Sequence, residues 1–274
     1  MNLFTAKEMV DNYSAAGVKK SELPIWKMLL LGVLAGAFIA FGCAATNTAA
    51  HSLTDVSTIR TICGLLFPGG LAMVLLTGAE LFTGNCLMPI SVLDKKIKLY
   101  AMLKNWLFVY LGNFVGSMIV ACGCAMFGQM NYSSGGLAVF TMKLAVGKAA
   151  LPFSNAFVLG IFCNVLVCLG VLCGLAAKDV AGRILGAFLP VAFFVICGFE
   201  HCVANMYYIP AGILASHVPA YAAKAAEAGL DLSALTWGNF FIKNLVPVTL
   251  GNIVGGAAVG IILWFCYSFQ GKKN

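Results

Sequence analysis

Charge is what this 274-residue chain has least of: Asp, Glu, Lys and Arg make up 10% of it, against 61% hydrophobic residues, at a mean hydropathy of +0.94. That scarcity excludes a water-soluble globular domain, in which about 25% of residues are charged. The opening stretch, Met1 to Leu23, carries Lys7, Glu8, Asp11, Lys19, Lys20 and Glu22 without a long apolar core, so it does not read as a cleavable signal peptide. No C-x-x-C, haem-ligand pair or nucleotide-binding motif occurs. A membrane thiol oxidoreductase, the one enzymatic alternative that eleven cysteines suggest, is therefore left without its chemistry. The cysteines are odd in number and mostly sit inside apolar runs, where a free thiol behaves as a small hydrophobe. Cys122 and Cys124, two apart, point to different faces of a helix and cannot share a metal, so neither a metal nor another cofactor is expected. The formal charge of +7 lacks the clustering of a nucleic-acid patch.

What the chain has instead is six apolar stretches of about 20 residues, each long enough to cross roughly 30 Å of hydrocarbon. They run near Ile25 to Ala50, Ile59 to Val92, Met102 to Phe127, Phe153 to Ala177, Ile184 to Ala215 and Asn244 to Ser268. This predicts an all-α membrane protein with a short N-terminal surface helix over 1–23 and a six-helix domain over 24–274. Leu3, Phe4, Met9, Val10 and Tyr13 would stripe the surface helix, facing the membrane or a neighbouring subunit. An even number of spans puts both termini on one side. Lys7, Lys19, Lys20, Lys27, Lys95, Lys96, Lys98, Lys104, Lys178, Arg183, Lys272 and Lys273 fall on that side, and Arg60, Lys143, Lys148, Lys224 and Lys243 on or towards the other. The positive-inside rule then makes both termini cytoplasmic.

The chain also repeats itself. The first and fourth stretches share L-G-x9-G (Leu31, Gly32, Gly42 and Leu159, Gly160, Gly170), and the second and fifth share G-x-E-x4-N (Gly78, Glu80, Asn85 and Gly198, Glu200, Asn205). The third and sixth share K-N-x5-L-G-N-x-V-G, from Lys104 to Gly116 and from Lys243 to Gly255. Three spans per copy force the second copy to enter from the opposite side, which predicts two inverted repeats over about 24–127 and 153–268. Transport proteins are built this way, with the site where helices break at matching positions.

Two such breaks are expected. Gly78 to Asn85 and Gly198 to Asn205 each place a carboxylate at membrane depth, where non-helical backbone survives only inside protein or beside a watery cavity. Glu80 and Glu200, identically placed, are expected to stabilise the loops by accepting hydrogen bonds from freed backbone N–H groups, with Asn85 and Asn205 as caps of the restarted helices. His201 stands apart, because the first copy has Leu81 at its place. An imidazole there can hydrogen-bond an anion or exchange a proton near neutral pH. Lys148, ahead of the fourth stretch, is placed to draw anions into a funnel mouth.

Over essentially its whole length the sequence resembles the formate/nitrite transporter family. Leu75 to Gly84 is similar to the family's first signature, Gly160 to Asn164 to its second, and Gly198 to Asn205 to its fifth-helix loop, with Cys202 where many relatives have Ser. The resemblance implies an aquaporin-like fold with broken second and fifth helices and a homopentamer with one pore per protomer in the bacterial inner membrane. It also implies narrow points at Phe67, Leu71, Leu81, Phe82, Val167 and Phe194, a gating loop at Thr83, a central His201, and a vestibule pair of Lys148 and Asn164. By overall likeness the hydrosulfide channel branch comes first, with formate or nitrite as the alternative and a water or neutral-solute channel as a further rival. A bare anion loses far more than its neutral acid on entering an apolar constriction, so the resemblance and the solvation physics together favour substrates able to shed charge.

Overall fold

The computed structural model describes residues 3–269; Met1, Asn2 and 270–274, among them Lys272 and Lys273 of the charge asymmetry, lie outside it. The chain opens with α1 (Ala6–Glu22), started by a capping box in which Thr5 Oγ1 accepts from the Glu8 N–H and the Glu8 carboxylate accepts from the Thr5 N–H at 2.8 Å. Those bonds from Thr5 hold the Glu8 carboxyl below the usual range. Of the apolar stripe expected to face lipid or a neighbouring subunit, Val10 and Tyr13 turn inward into the chain's own core, Phe4 and Met9 are partly buried and Leu3 stays exposed. At the end of the second stretch Asp94 fixes this arrangement, bonding the Ser14 hydroxyl of α1 and accepting from Trp264 Nε1 at 2.6 Å, with Lys96 at 3.1 Å. Burial raises the Asp94 carboxyl, but the bonds from Ser14, Trp264 and Lys96 outweigh it and hold the group below the usual aspartate value.

Six apolar helical segments long enough to span a membrane follow. They are α2 (Ile25–Ala50), α3 with α4 (Val56–Leu66, Pro68–Thr77), α7 (Leu99–Met126), α9 (Phe153–Ala176), α10 (Val180–Cys197) and α13 (Val246–Tyr267), the last extended backwards by a π-helical turn over Asn239–Leu245. The second and fifth stretches break where the carboxylate motifs lie. α4 ends on Gly78 (φ 72°) and the chain restarts as α5 (Phe82–Asn85) and α6 (Pro89–Leu93); α10 ends on Gly198 (φ 73°) and restarts as α11 (Cys202–Ser216). Both glycines occupy the left-handed region that a Cβ disfavours, and their N–H groups bond back to Val74 O and Phe194 O.

Two helices escaped the sequence reading. α8 (Tyr132–Ala149) occupies what reads as a polar segment; its Leu137, Thr141, Met142 and Ala145 are buried, with α11 packed beside it. α12 (Pro219–Glu227) follows α11.

Lipid offers no hydrophobic drive for helix association, so close backbone contact at small residues has to hold the bundle together. α2 and α7 meet at Gly32, Gly36, Gly112 and Gly116, and α9 and α13 meet at Gly160, Gly251 and Gly255. A Cβ on Gly116 would stand 2.0 Å from Val33 O, and one on Gly255 would stand 2.2 Å from Ile161 O. These two contacts are the same one, displaced along the chain by the offsets of the sequence repeat.

Candidate permeation site

Each break hangs from an asparagine scaffold, and the two scaffolds match bond for bond. Asn113 Oδ1 accepts from the Phe82 N–H at 2.9 Å while its Nδ2 donates to Gly32 O and Glu80 O. Asn252 does the same for the Cys202 N–H (2.9 Å), Gly160 O and Glu200 O. The carboxylates are held alike: Glu80 accepts from Lys20 Nζ at 2.6 Å and Asn85 Nδ2 at 2.7 Å, and Glu200 from Lys148 Nζ at 2.7 Å and Asn205 Nδ2 at 2.7 Å. Asn105 and Asn244 complete the pattern, each accepting from Asn85 or Asn205 at 2.8 Å and donating to the carbonyl of Lys20 or Lys148.

This revises three expectations. Glu80 and Glu200 do not accept from freed backbone N–H groups; their partners are Lys and Asn side chains, while the Phe82 and Cys202 N–H groups go to Asn113 and Asn252 and those of Glu80 and Glu200 to Leu31 O and Leu159 O. Asn85 and Asn205 are not N-caps, because their amides are spent on the carboxylates; His201 caps α11, its Nδ1 accepting from the Ala204 N–H at 3.0 Å. Lys148 is not a free charge at a mouth but a largely buried member of an ion pair, 15% exposed at its side chain, with Nζ 5.5 Å from the Tyr208 ring centre.

Between the breaks lies a small apolar chamber of about 10 Å³, lined by Ile39, Phe67, Leu71, Leu81, Val167, Val191, Phe194 and His201. Five of the six expected narrow points meet here, together with His201. Phe82 does not line the chamber; its ring packs edge-on against Trp106 and Tyr110, at 6.1 and 4.8 Å between centroids. The space reaches only the lower bound for one water, so a larger solute passes only when side chains move. His201 stacks on Phe194 at 5.9 Å, and its Nε2 lies 2.8 Å from Thr83 Oγ1. With Nδ1 taken by a backbone donor, the neutral ring carries its proton on Nε2 and donates it to Thr83. Asn164 steadies the same loop, its Nδ2 donating to Thr83 O and Asn252 O while its buried Oδ1 has no partner among the described residues.

Phe67, Phe194 and His201 also line a second cavity, of about 940 Å³, so they form the partition between it and the chamber. The two phenyl rings meet edge to face with centroids 5.4 Å apart. Among the described residues, three cations (Arg60, Lys143, Lys148) and one carboxylate (Glu200) line this vestibule, an excess of two positive charges. His51 stands on its wall as well, bonded to Thr48 O and to the hydroxyl of Ser133, a residue in left-handed backbone.

Several residues of the site went unnoticed in the sequence although the repeat contains them. Adding 128 to Ile39 gives Val167 and adding 128 to Lys20 gives Lys148, while adding 120 to Leu71 gives Val191. The offsets of the motifs, applied to the expected site residues, would have found all three partners.

A family model described as formate/nitrite transporter matches residues 7–266. The chain is 37% identical to a probable formate transporter of Methanothermobacter thermautotrophicus, over 93% of each chain. It is 35% identical to a formate channel of Haemophilus influenzae, over 92% of this chain and 90% of that one. Among solved structures it is similar to a pentameric formate channel with formate bound, with a TM-score of 0.77 and 35% identity over 89% of this chain and 97% of the other. It is also similar to an ion channel of the same family, with a TM-score of 0.82 and 25% identity over 94% and 98%.

Proposed function

Because the chain belongs to the formate/nitrite transporter family, we propose that it is a membrane channel for a small monovalent anion or its conjugate weak acid, with formate as the first candidate. Hydrosulfide, first on overall sequence likeness, moves behind formate because relatives over nine-tenths of the chain are named for formate. The observation that carries the reading is the vestibule: a cavity with two excess positive charges that ends on a wall of two phenylalanines and one histidine.

Such a cavity concentrates anions, since low-dielectric walls focus the field of the lining cations. The phenyl partition then penalises the charged form, while the neutral acid loses far less on leaving water. Among the described residues His201 is the one titratable side chain that lines both sides of the partition, and Thr83 Oγ1 on α5 is its partner. The anion thus gathers in the vestibule, takes a proton from the vestibule water at the partition, leaving hydroxide behind, and crosses the chamber as the neutral acid while Phe67, Phe194 and Leu81 yield.

The matched asparagine scaffolds support reading the two halves as inverted repeats, and the lysine asymmetry supports cytoplasmic termini in a bacterial cell membrane. A homopentamer is proposed by likeness to the pentameric channel. The test is flux into liposomes holding the purified protein, with formate, nitrite, hydrosulfide and acetate in competition and water permeability measured alongside. Formate flux above that of empty vesicles is expected. Water flux without anion flux would replace the reading with that of a neutral-solute channel.

A further inference from the structure

Resting on that reading, we propose that Arg60 is the residue that captures the anion at the partition, and that its guanidinium favours planar anions with two oxygens over single-atom acceptors such as hydrosulfide. Three observations place it there. Arg60 lines the vestibule beside Phe67, Phe194, Gly198, Glu200 and His201. Its guanidinium lies along the backbone of Gly198: a Cβ at that glycine would stand 3.0, 3.3 and 3.4 Å from Nη1, Nη2 and Cζ. Arg60 also makes no ion pair or side-chain hydrogen bond among the described residues, because the one carboxylate of the vestibule, Glu200, is occupied by Lys148, Asn205 and Asn244.

The other two cations of the vestibule suit the task less well. Lys148 is neutralised by Glu200 at 2.7 Å. Lys143, exposed as Arg60 is, lines the vestibule from α8 and is not within seven residues of any residue of the partition. Arg60 sits seven residues before Phe67, two turns of helix on the same face, and so stands directly over the entrance. The repeat sharpens the assignment. Adding 120 to Arg60 gives Val180, and the other break's glycine, Gly78, has open space where Gly198 has the guanidinium. Arg60 therefore breaks the symmetry on the vestibule side of the partition to which His201, the other departure, itself belongs.

The chemistry follows from the fork. Parallel guanidinium N–H groups meet two oxygens of a carboxylate or of nitrite at once, whereas hydrosulfide presents one acceptor atom and an ammonium group offers only a point charge. Wild type, Arg60→Gln, Arg60→Lys and Lys143→Gln are compared in liposomes for formate and hydrosulfide flux, each against concentration. Arg60→Gln is expected to raise the half-saturating formate concentration about tenfold, the loss of one charge-assisted contact, with a smaller change in maximal rate. Arg60→Lys should narrow the preference for formate over hydrosulfide, and Lys143→Gln should shift both anions slightly and equally. Formate half-saturation in Arg60→Gln equal to that of wild type, in vesicles where wild type transports formate, overturns this inference alone. Wild type that carries none of the anions overturns the channel reading beneath it.

Discussion

Replacing Lys148 by Met tests whether its charge serves the fold or the solute. Its Nζ lies 2.7 Å from Glu200 Oε1, and Glu200 is 4% exposed. At an effective dielectric of about 20 such a pair attracts by roughly 6 kcal/mol, most of it offset by the desolvation of both groups. Removing one partner leaves the other charge buried and unpaired, at a loss of about 3–5 kcal/mol. The vestibule gives the ammonium some access to water, which places the expectation near 3 kcal/mol. Salt should matter little, since 2.7 Å is far inside a Debye length that shrinks only from about 30 Å to about 8 Å between 0.01 and 0.15 M. The assay pairs thermal unfolding in detergent with formate flux at both ionic strengths, for Lys148→Met, Glu200→Gln and the double variant. Each single variant should unfold at lower temperature, the double should recover part of the loss, and any fall in flux should be independent of salt. A Lys148→Met protein of wild-type stability that loses flux chiefly at low salt would falsify this reasoning and restore the lysine as a long-range lure.

Three further predictions follow from separate contacts. Gly116→Ala puts a Cβ 2.0 Å from Val33 O and should destabilise by about 1–3 kcal/mol or more, while Gly123→Ala, with open space around it, should be neutral or slightly stabilising; unfolding of the two variants decides. His201→Asn keeps a side chain able to cap α11 through the Ala204 N–H, so the protein should fold while weak-acid flux loses its steep dependence between pH 5 and 8; an unchanged profile sinks the proton role. Because the Asp94 carboxyl is held below its unfolded value, its contribution to docking α1 is complete above the unfolded pKa and is lost as pH falls through the folded one. Hydrogen exchange of α1 should therefore quicken only below about pH 4 and should be quick at neutral pH in Asp94→Asn; slow exchange in that variant would show that the latch lies elsewhere.

The fold was largely legible because hydrocarbon imposes so few solutions. Apolar length predicted the six spans, and two glycine-carboxylate motifs at matching positions predicted the breaks that α4 to α5 and α10 to α11 contain. α8 was missed for a physical reason: its Ser133, Ser134, Gly135 and Lys143 lower the apolar run, yet Met142 and Ala145 pack on α11 inside the protein and never need to satisfy lipid. The donors to Glu80 and Glu200 differ from those expected because one strand of sequence cannot say which of several nearby donors reaches a carboxylate. The asparagines that take the freed N–H groups, Asn113 and Asn252, lie 31 and 50 residues away from the groups they serve. Phe82 went astray because a break turns the backbone by an amount the motif does not encode, and its ring left the chamber for Trp106 and Tyr110.

Where the two halves agree, the shared parts hold the backbone: glycines at the helix contacts, asparagines under the breaks, a lysine on each carboxylate. A scaffold that is the same in both halves cannot by itself make one break differ from the other. The positions where the copies part company supply that difference. By the 120-residue offset Leu81 corresponds to His201, Val74 to Phe194 and Ala187 to Phe67; Phe67, Phe194 and His201 all line the chamber, and of their three counterparts Leu81 alone does. Arg60 against Val180 adds a cation on the phenyl side, and Asn164 against Gly36 adds an amide on the loop of Thr83. A vestibule cation, two phenyl rings and an imidazole therefore cluster on one side of the chamber. A symmetric frame with functional groups placed asymmetrically on it accounts for why substitutions in the frame should change stability, and substitutions at the departures should change which solute crosses and at what pH.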